Sequence, residues 1–102
     1  KVWSNFLNEY QVCIGPTWCC LPWQIDTDLD PKLGNDALKK SFYFIAPANG
    51  LGLPAVALAT GVSEGIPTGI QIYADLFRDD LALLAAEIIE KEKPCPAPIN
   101  PN

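Results

Sequence analysis

Proline and glycine cut this chain into short apolar runs, and that punctuation limits what it can fold into. Ten prolines and seven glycines fall among its 102 residues. Each proline withholds an N–H and fixes φ, and each ordered glycine loses more backbone freedom than any other residue. Only a few short elements fit between them. The runs still bring apolar residues to 49%, enough to argue against disorder across the whole chain. One domain of this size buries roughly 60–68% of its unfolded surface. With so much loop, the expected core is thin or completed by another chain.

Several runs have a readable period. In Lys1–Tyr10 (KVWSNFLNEY), Val2, Phe6 and Leu7 fall on one helical stripe with Trp3 beside it. The chain starts at Lys1 and holds no methionine, so the expectation is a piece of something longer that opens inside a helix. Val12–Ile14 is a short apolar run stopped by Gly15 and Pro16, as in a buried strand. TWCCLPW reads as an aromatic loop, and IDTDLDPKLGND as an exposed acidic connection with about one helical turn. In ALKKSFYFIAP, the residues Ala37, Leu38, Phe42 and Ile45 suit a helix that Pro47 ends, and PANGLGLP then reads as a connector.

Ala55–Thr60 and Thr68–Tyr73 read as two strands joined by residues 61–67, an antiparallel hairpin. Gly69 inside a strand predicts close approach by a neighbouring backbone. The longest element is a helix over residues 79–93, with Asp79 as N-cap and Asp80 at the positive end of the dipole. Leu81, Leu84, Ala85, Ile88 and Ile89 form its expected buried face, and Pro94 stops it. Ala82, Leu83 and Ala86 extend the apolar surface, so packing on two sides is expected. The proline-rich tail, residues 94–102, is expected to be extended.

Composition excludes several classes. The net charge is −5 and the few basic residues do not cluster beyond Lys39 and Lys40, so no face for nucleic-acid phosphates is visible. No run of about 20 apolar residues marks a membrane span, and no secretory leader pattern is seen. The expected location is cytoplasmic. Cys13, Cys19, Cys20 and Cys95 lack the paired spacing that zinc uses, and the chain has no histidine. They are expected to be reduced and inert. Asp26, Asp28 and Asp30 alternate like the start of a calcium loop, but its sixth and twelfth positions hold Pro31 and Ala37. No metal or cofactor is expected. Ser63 and Glu64 read as exposed turn residues, and Gln71 as an inward amide that needs a partner.

From Asn49 to Glu90 the order and spacing of residues resemble the C-terminal part of the amidase signature family. The matching positions are Asn49, Gly52, Leu53, Pro54, Ala55, Thr60, Gly61, Gly65, Pro67, Gly69, Gln71, Phe77, Asp80, Leu83, Ala86 and Glu90. The upstream YQVCIGPTW is similar to the strand and loop that precede this region in the family. Ala59 and Ala74 depart from it, standing where proline and glycine are usual.

The resemblance implies an α/β fold: a few strands of a larger mixed sheet, flanked by helices, with residues 1–102 as the C-terminal segment of an amidase domain. It implies hydrolysis or transfer of a small-molecule amide. The family's lysine draws a proton through a second serine, in cis-peptide linkage, to activate the nucleophilic serine. This chain has only Ser4, Ser41 and Ser63, all isolated, so the triad is expected in the remainder of the amidase, on the same polypeptide or a separate catalytic chain. A different class of reading is a non-catalytic binding module derived from an amidase tail. It would have to protect its own sheet edges.

Thr17, Trp18 and Cys19 are the substrate-pocket candidates. They follow a strand end, where α/β enzymes often put pocket residues, and the resemblance sets this loop near the acyl pocket. The competing role is structural, with Trp18 and Trp23 capping a core.

Overall fold

A near-continuous apolar run lets a strand be covered on both faces of a sheet, and one strand here is covered on both. In a computed structural model, residues 1–94 are described. The elements are α1 (Val2–Tyr10), β1 (Val12–Pro16), a 3-10 turn (Thr27–Leu29), α2 (Gly34–Phe42), α3 (Ile45–Leu51), β2 (Ala55–Ser63), β3 (Ile66–Ala74) and α4 (Asp79–Glu92). The strands form one antiparallel sheet in the order β1-β3-β2. The chain is therefore α/β, a three-stranded sheet with helices. Among the described residues no helix is long and apolar enough to cross a membrane.

β3 is the centre. Gln71, Ile72, Tyr73 and Ala74 are all buried, and Ile72 has no exposure at all. Alternation puts Ile70, Ile72 and Ala74 on one face and Gly69, Gln71 and Tyr73 on the other. Tyr73 packs in a cluster with Leu7 of α1, Ala48 of α3 and Leu53, with Trp3 and Cys13 at its border. Burial, with Cys13 beside it, pushes the Tyr73 hydroxyl up to about 12. α4 lies across the strands and buries Ala82 and Ala86, one turn apart.

The expected hairpin is present and longer than its apolar runs. It closes at Glu64 and Gly65, both at positive φ (52° and 76°). Two central residues of that kind make the tight turn whose twist matches paired strands. A bulge between Ala59 and Gly61 breaks the register once. At Gly69 a neighbouring strand comes close, as expected: a Cβ there would sit 2.8 Å from the carbonyl oxygen of Leu58.

Other expectations are corrected. Pro47 does not end a helix. It lies in the first turn of α3, where the missing N–H would have had no helical partner, and the break falls at Tyr43 and Phe44 instead. The stretch expected as a connector is therefore mostly helix. Asp79 does not cap α4. Arg78 holds the N-cap position and Asp79 is the first helical residue. Asp80 instead accepts two hydrogen bonds of 3.0 Å from the Arg78 guanidinium. That pair holds Asp80 below the usual carboxylate range and raises Arg78.

The stripes expected on the end helices are rotated. In α4, Leu84 and Ile88 stay 52% and 56% exposed while Ala82 and Ala86 go in, because small side chains let the helix approach the sheet. In α1, Leu7 is buried and Trp3 half-buried, but Val2 and Phe6 face outward. β1 is not a buried strand. It is a sheet edge, with Ile14 52% exposed. The tail expected to be extended and Cys95 fall in residues 95–102, outside the described residues.

Candidate functional site: an aromatic cleft

Pairing of Pro16 with Ile70 determines where the site forms. The chain that leaves β1 after Pro16 must run beside the residues that precede Ile70 on β3. The result is a cleft of about 530 Å³ with one wall from residues 16–23 and the other from Pro67, Thr68 and Gly69. Thr17, Trp18 and Cys19 all line it. Trp18 sits between two other rings. Its centroid is 5.5 Å from that of Trp23 at 51°, and 5.4 Å from Phe42 at 80°, an edge-to-face contact. Trp18 thus lines the cleft and packs against α2 as well, so its pocket and structural roles are not exclusive.

The lining is apolar and uncharged. Trp18, Trp23, Leu21, Pro16, Pro22 and Pro67 dominate, and Thr17 and Thr68 supply the side-chain hydroxyls. Nothing in the residue order marks Pro67 and Thr68 as facing Trp18 from some fifty positions away. Gly69 is the one signal, through its close backbone approach.

Around the cleft, polar groups hold structure. The Gln71 amide donates to the carbonyl of Phe44 at 2.7 Å, tying the α2–α3 junction to β3, which is the inward role expected of it. Ser41 donates to the carbonyl of Ala37 at 2.7 Å, and its oxygen is 3.6 Å from the Cys20 sulfur. Ser4 donates to Asp75 at 2.9 Å. Ser63 and Glu64 are exposed at the hairpin end. Lys40 pairs with Asp36 at 2.8 Å on the outer surface of α2, which raises its pKa. Among the described residues no serine is hydrogen-bonded to a lysine, and no cluster of three metal-ligating side chains forms. Asp30 accepts from the N–H groups of Lys32 and Leu33 at 2.7 and 3.1 Å, so it closes a turn. Cys13, Cys19 and Cys20 are free thiols.

The chain is 35% identical over 95 residues to an indoleacetamide hydrolase of Bradyrhizobium japonicum, a match covering 89% of this chain and 20% of that protein. It is 32% identical over 91 residues to an indoleacetamide hydrolase of Bradyrhizobium diazoefficiens, covering 88% of this chain and 17% of that one. It is equally 32% identical over 91 residues to a glutamyl-tRNA(Gln) amidotransferase subunit of Listeria welshimeri, covering 86% and 18%. No protein-family model matches the chain, and no solved structure does. The chain belongs to the amidase signature family and corresponds to a C-terminal part of its longer members. It spans about a fifth of the length of the curated relatives it matches.

Several residues that carry the likeness have visible structural roles. Gly52 takes the left-handed position that ends α3, Gly65 the second turn position, Gly69 the tight approach and Gln71 the cross-link to Phe44.

Proposed function

We propose that this chain is the C-terminal segment of an amidase-type hydrolase, where it completes the sheet and forms one wall of the substrate pocket. The observation that carries the reading is the cleft at the end of β1, lined by Thr17, Trp18 and Cys19 together with Pro67–Gly69. The serine nucleophile, the bridging cis-serine and the lysine lie outside this chain. Its relatives, named as hydrolases and as part of an amidotransferase, support amide C–N chemistry. The uncharged aromatic lining favours a small neutral amide with a planar apolar group, held by ring stacking and by exclusion of water.

The test joins the 102-residue chain behind the part of the Bradyrhizobium japonicum indoleacetamide hydrolase that precedes the matched segment. The joined protein is expected to hydrolyse indoleacetamide, and the 102-residue chain alone is not. Trp18→Ala in the joined protein should raise KM roughly tenfold with kcat nearly unchanged, as removal of uniform binding does. Turnover by the isolated chain, or a Trp18 variant with an unaltered KM, would overturn the reading.

A further inference from the structure

Two thiols stand side by side on the wall of the aromatic cleft. Cys19 and Cys20 both line it, and both are free. Buried thiols are inert because reagents do not reach them. Cys19 is half-buried and Cys20 exposed, so the inertness expected of the cysteines does not extend to this pair.

The pair is held in place. The one proton of the Ser41 hydroxyl goes to the carbonyl of Ala37 at 2.7 Å. At the 3.6 Å contact between Ser41 and Cys20 the serine oxygen is therefore the acceptor and the thiol the donor. Ser41 has no exposure, so a fixed point on α2 anchors Cys20. Trp18, the residue before Cys19, packs against Trp23 and Phe42. Contacts before and after Cys19 thus restrain the two thiols.

Their spacing decides what they can take. Neighbouring Cα atoms across a trans peptide stand about 3.8 Å apart, below the roughly 4.4–6.8 Å that a disulfide spans. A direct bridge is therefore disfavoured. A single bridging atom lets the sulfurs stand further apart than an S–S bond does and relieves that constraint. Among the described residues no group of three ligating side chains forms, so the protein ligands of a structural zinc are not at hand. Two thiolates suit a soft centre with two bonds to give. A trivalent arsenic that already carries one carbon group is such a centre. The cleft supplies room for that group, with about 530 Å³, an uncharged lining, and Trp18 and Trp23 to receive an aryl ring.

We propose that Cys19 and Cys20 form a dithiol site for monosubstituted trivalent arsenicals, aryl ones above all, and that occupying it closes the cleft. In the step, both S–H bonds and the arsenic–oxygen bonding break, two As–S bonds form, and the oxygen leaves with the two protons as water. Arsenic stays trivalent and nothing is oxidised. The site itself stands on the cleft, and its effect on amide turnover rests on the amidase reading above.

Phenylarsine oxide added to the joined protein is the test. Peptide mass spectrometry should place one phenylarsenic group, bonded through two sulfurs, on Cys19 and Cys20, and Cys19→Ser and Cys20→Ser should each abolish it. Displacement by dimercaptopropanol should need ~10-fold more competitor from the folded protein than from the same protein unfolded in urea, because anchored thiols and a formed ring wall spare the cost of ordering them. Indoleacetamide turnover, read for each protein with and without the probe, should be lost in the modified protein and return with the dithiol but not with a monothiol. An adduct at Cys13, a two-sulfur adduct that survives either substitution, equal displacement from folded and unfolded protein, or full turnover by the modified protein overturns the site. If the joined protein shows no turnover even without the probe, the adduct's position and the displacement ratio still decide the site, and the amidase reading alone fails.

Discussion

The hairpin with α4, residues 55–92, and the aromatic segment with α2, residues 17–42, are held together by different physics. In the first, a backbone ladder and a buried strand centre do the organising. β3 pairs on both sides, and α4 closes over the sheet with Ala82 and Ala86. In the second, no strand forms. Ring contacts among Trp18, Trp23 and Phe42 and the packing of α2 against the 3-10 turn hold the segment. Large apolar side chains stay in water in both, with Ile25 at 93% exposure in the second and Phe77 at 92% in the first. Each ring contact contributes on the order of 1 kcal/mol beyond its burial. The cleft lies where the two regions meet, so the sheet supplies one wall and the aromatic loop the other.

Substitutions can break this contrast, starting with the sheet. Ile72→Ala empties the most buried large side chain and should cost about 2–5 kcal/mol, read by denaturant unfolding of the joined protein. A comparable loss from Phe42→Ala, whose ring is half in water, would abolish the distinction between the regions.

The next effect is set by pH. Tyr73 has a folded pKa of about 12 against an ordinary value near 10. The contribution is fully present below pH ~10, because the ring is neutral in both states there. Between about 10 and 12 the unfolded chain ionises first, binds fewer protons, and stability falls by up to roughly 2–3 kcal/mol. Tyr73→Phe should flatten that limb of the stability profile, and an unchanged limb would mean the hydroxyl is not the group responsible.

The smallest effect sharpens the comparison best. Gln71→Leu removes the amide that donates to Phe44, the hydrogen bond that ties β3 to the turn just after α2. It should cost roughly 1–3 kcal/mol by leaving a carbonyl short of a partner. It should also loosen the loop wall, seen as faster hydrogen exchange in residues 17–44 with β3 unaffected. Uniform exchange across both regions would mean the link is not local.

Much of the sheet region is legible from residue order alone. AVALAT and TGIQIY are apolar runs flanking a turn-rich segment, and Gly69 can be read as a tight approach because a glycine in a strand has few other uses. The faces of the end helices are less legible. Leu84 and Ile88 have the right period and hydrophobicity for burial, yet Ala82 and Ala86 are selected by how close a helix can come to a sheet. Pro47 reads locally as a stop, but a proline is equally at home in a first helical turn. In the site, Thr17, Trp18 and Cys19 are accessible to sequence reasoning because they follow a strand. Their opposite wall is not, since Pro67 and Thr68 carry no mark of the Pro16–Ile70 pairing.

Residue order alone carried the family likeness, the α/β class, the hairpin and the last helix. These follow from residue type, period and local conformational limits, all properties of neighbours along the chain. The packed structure was needed to show which helix faces are buried, that β1 and β2 are the two edges of the sheet, and that residues 16–23 and 67–69 enclose one cleft. Those depend on the phase of a ladder and on the distance between packed backbones, which are set by residues far apart in the chain.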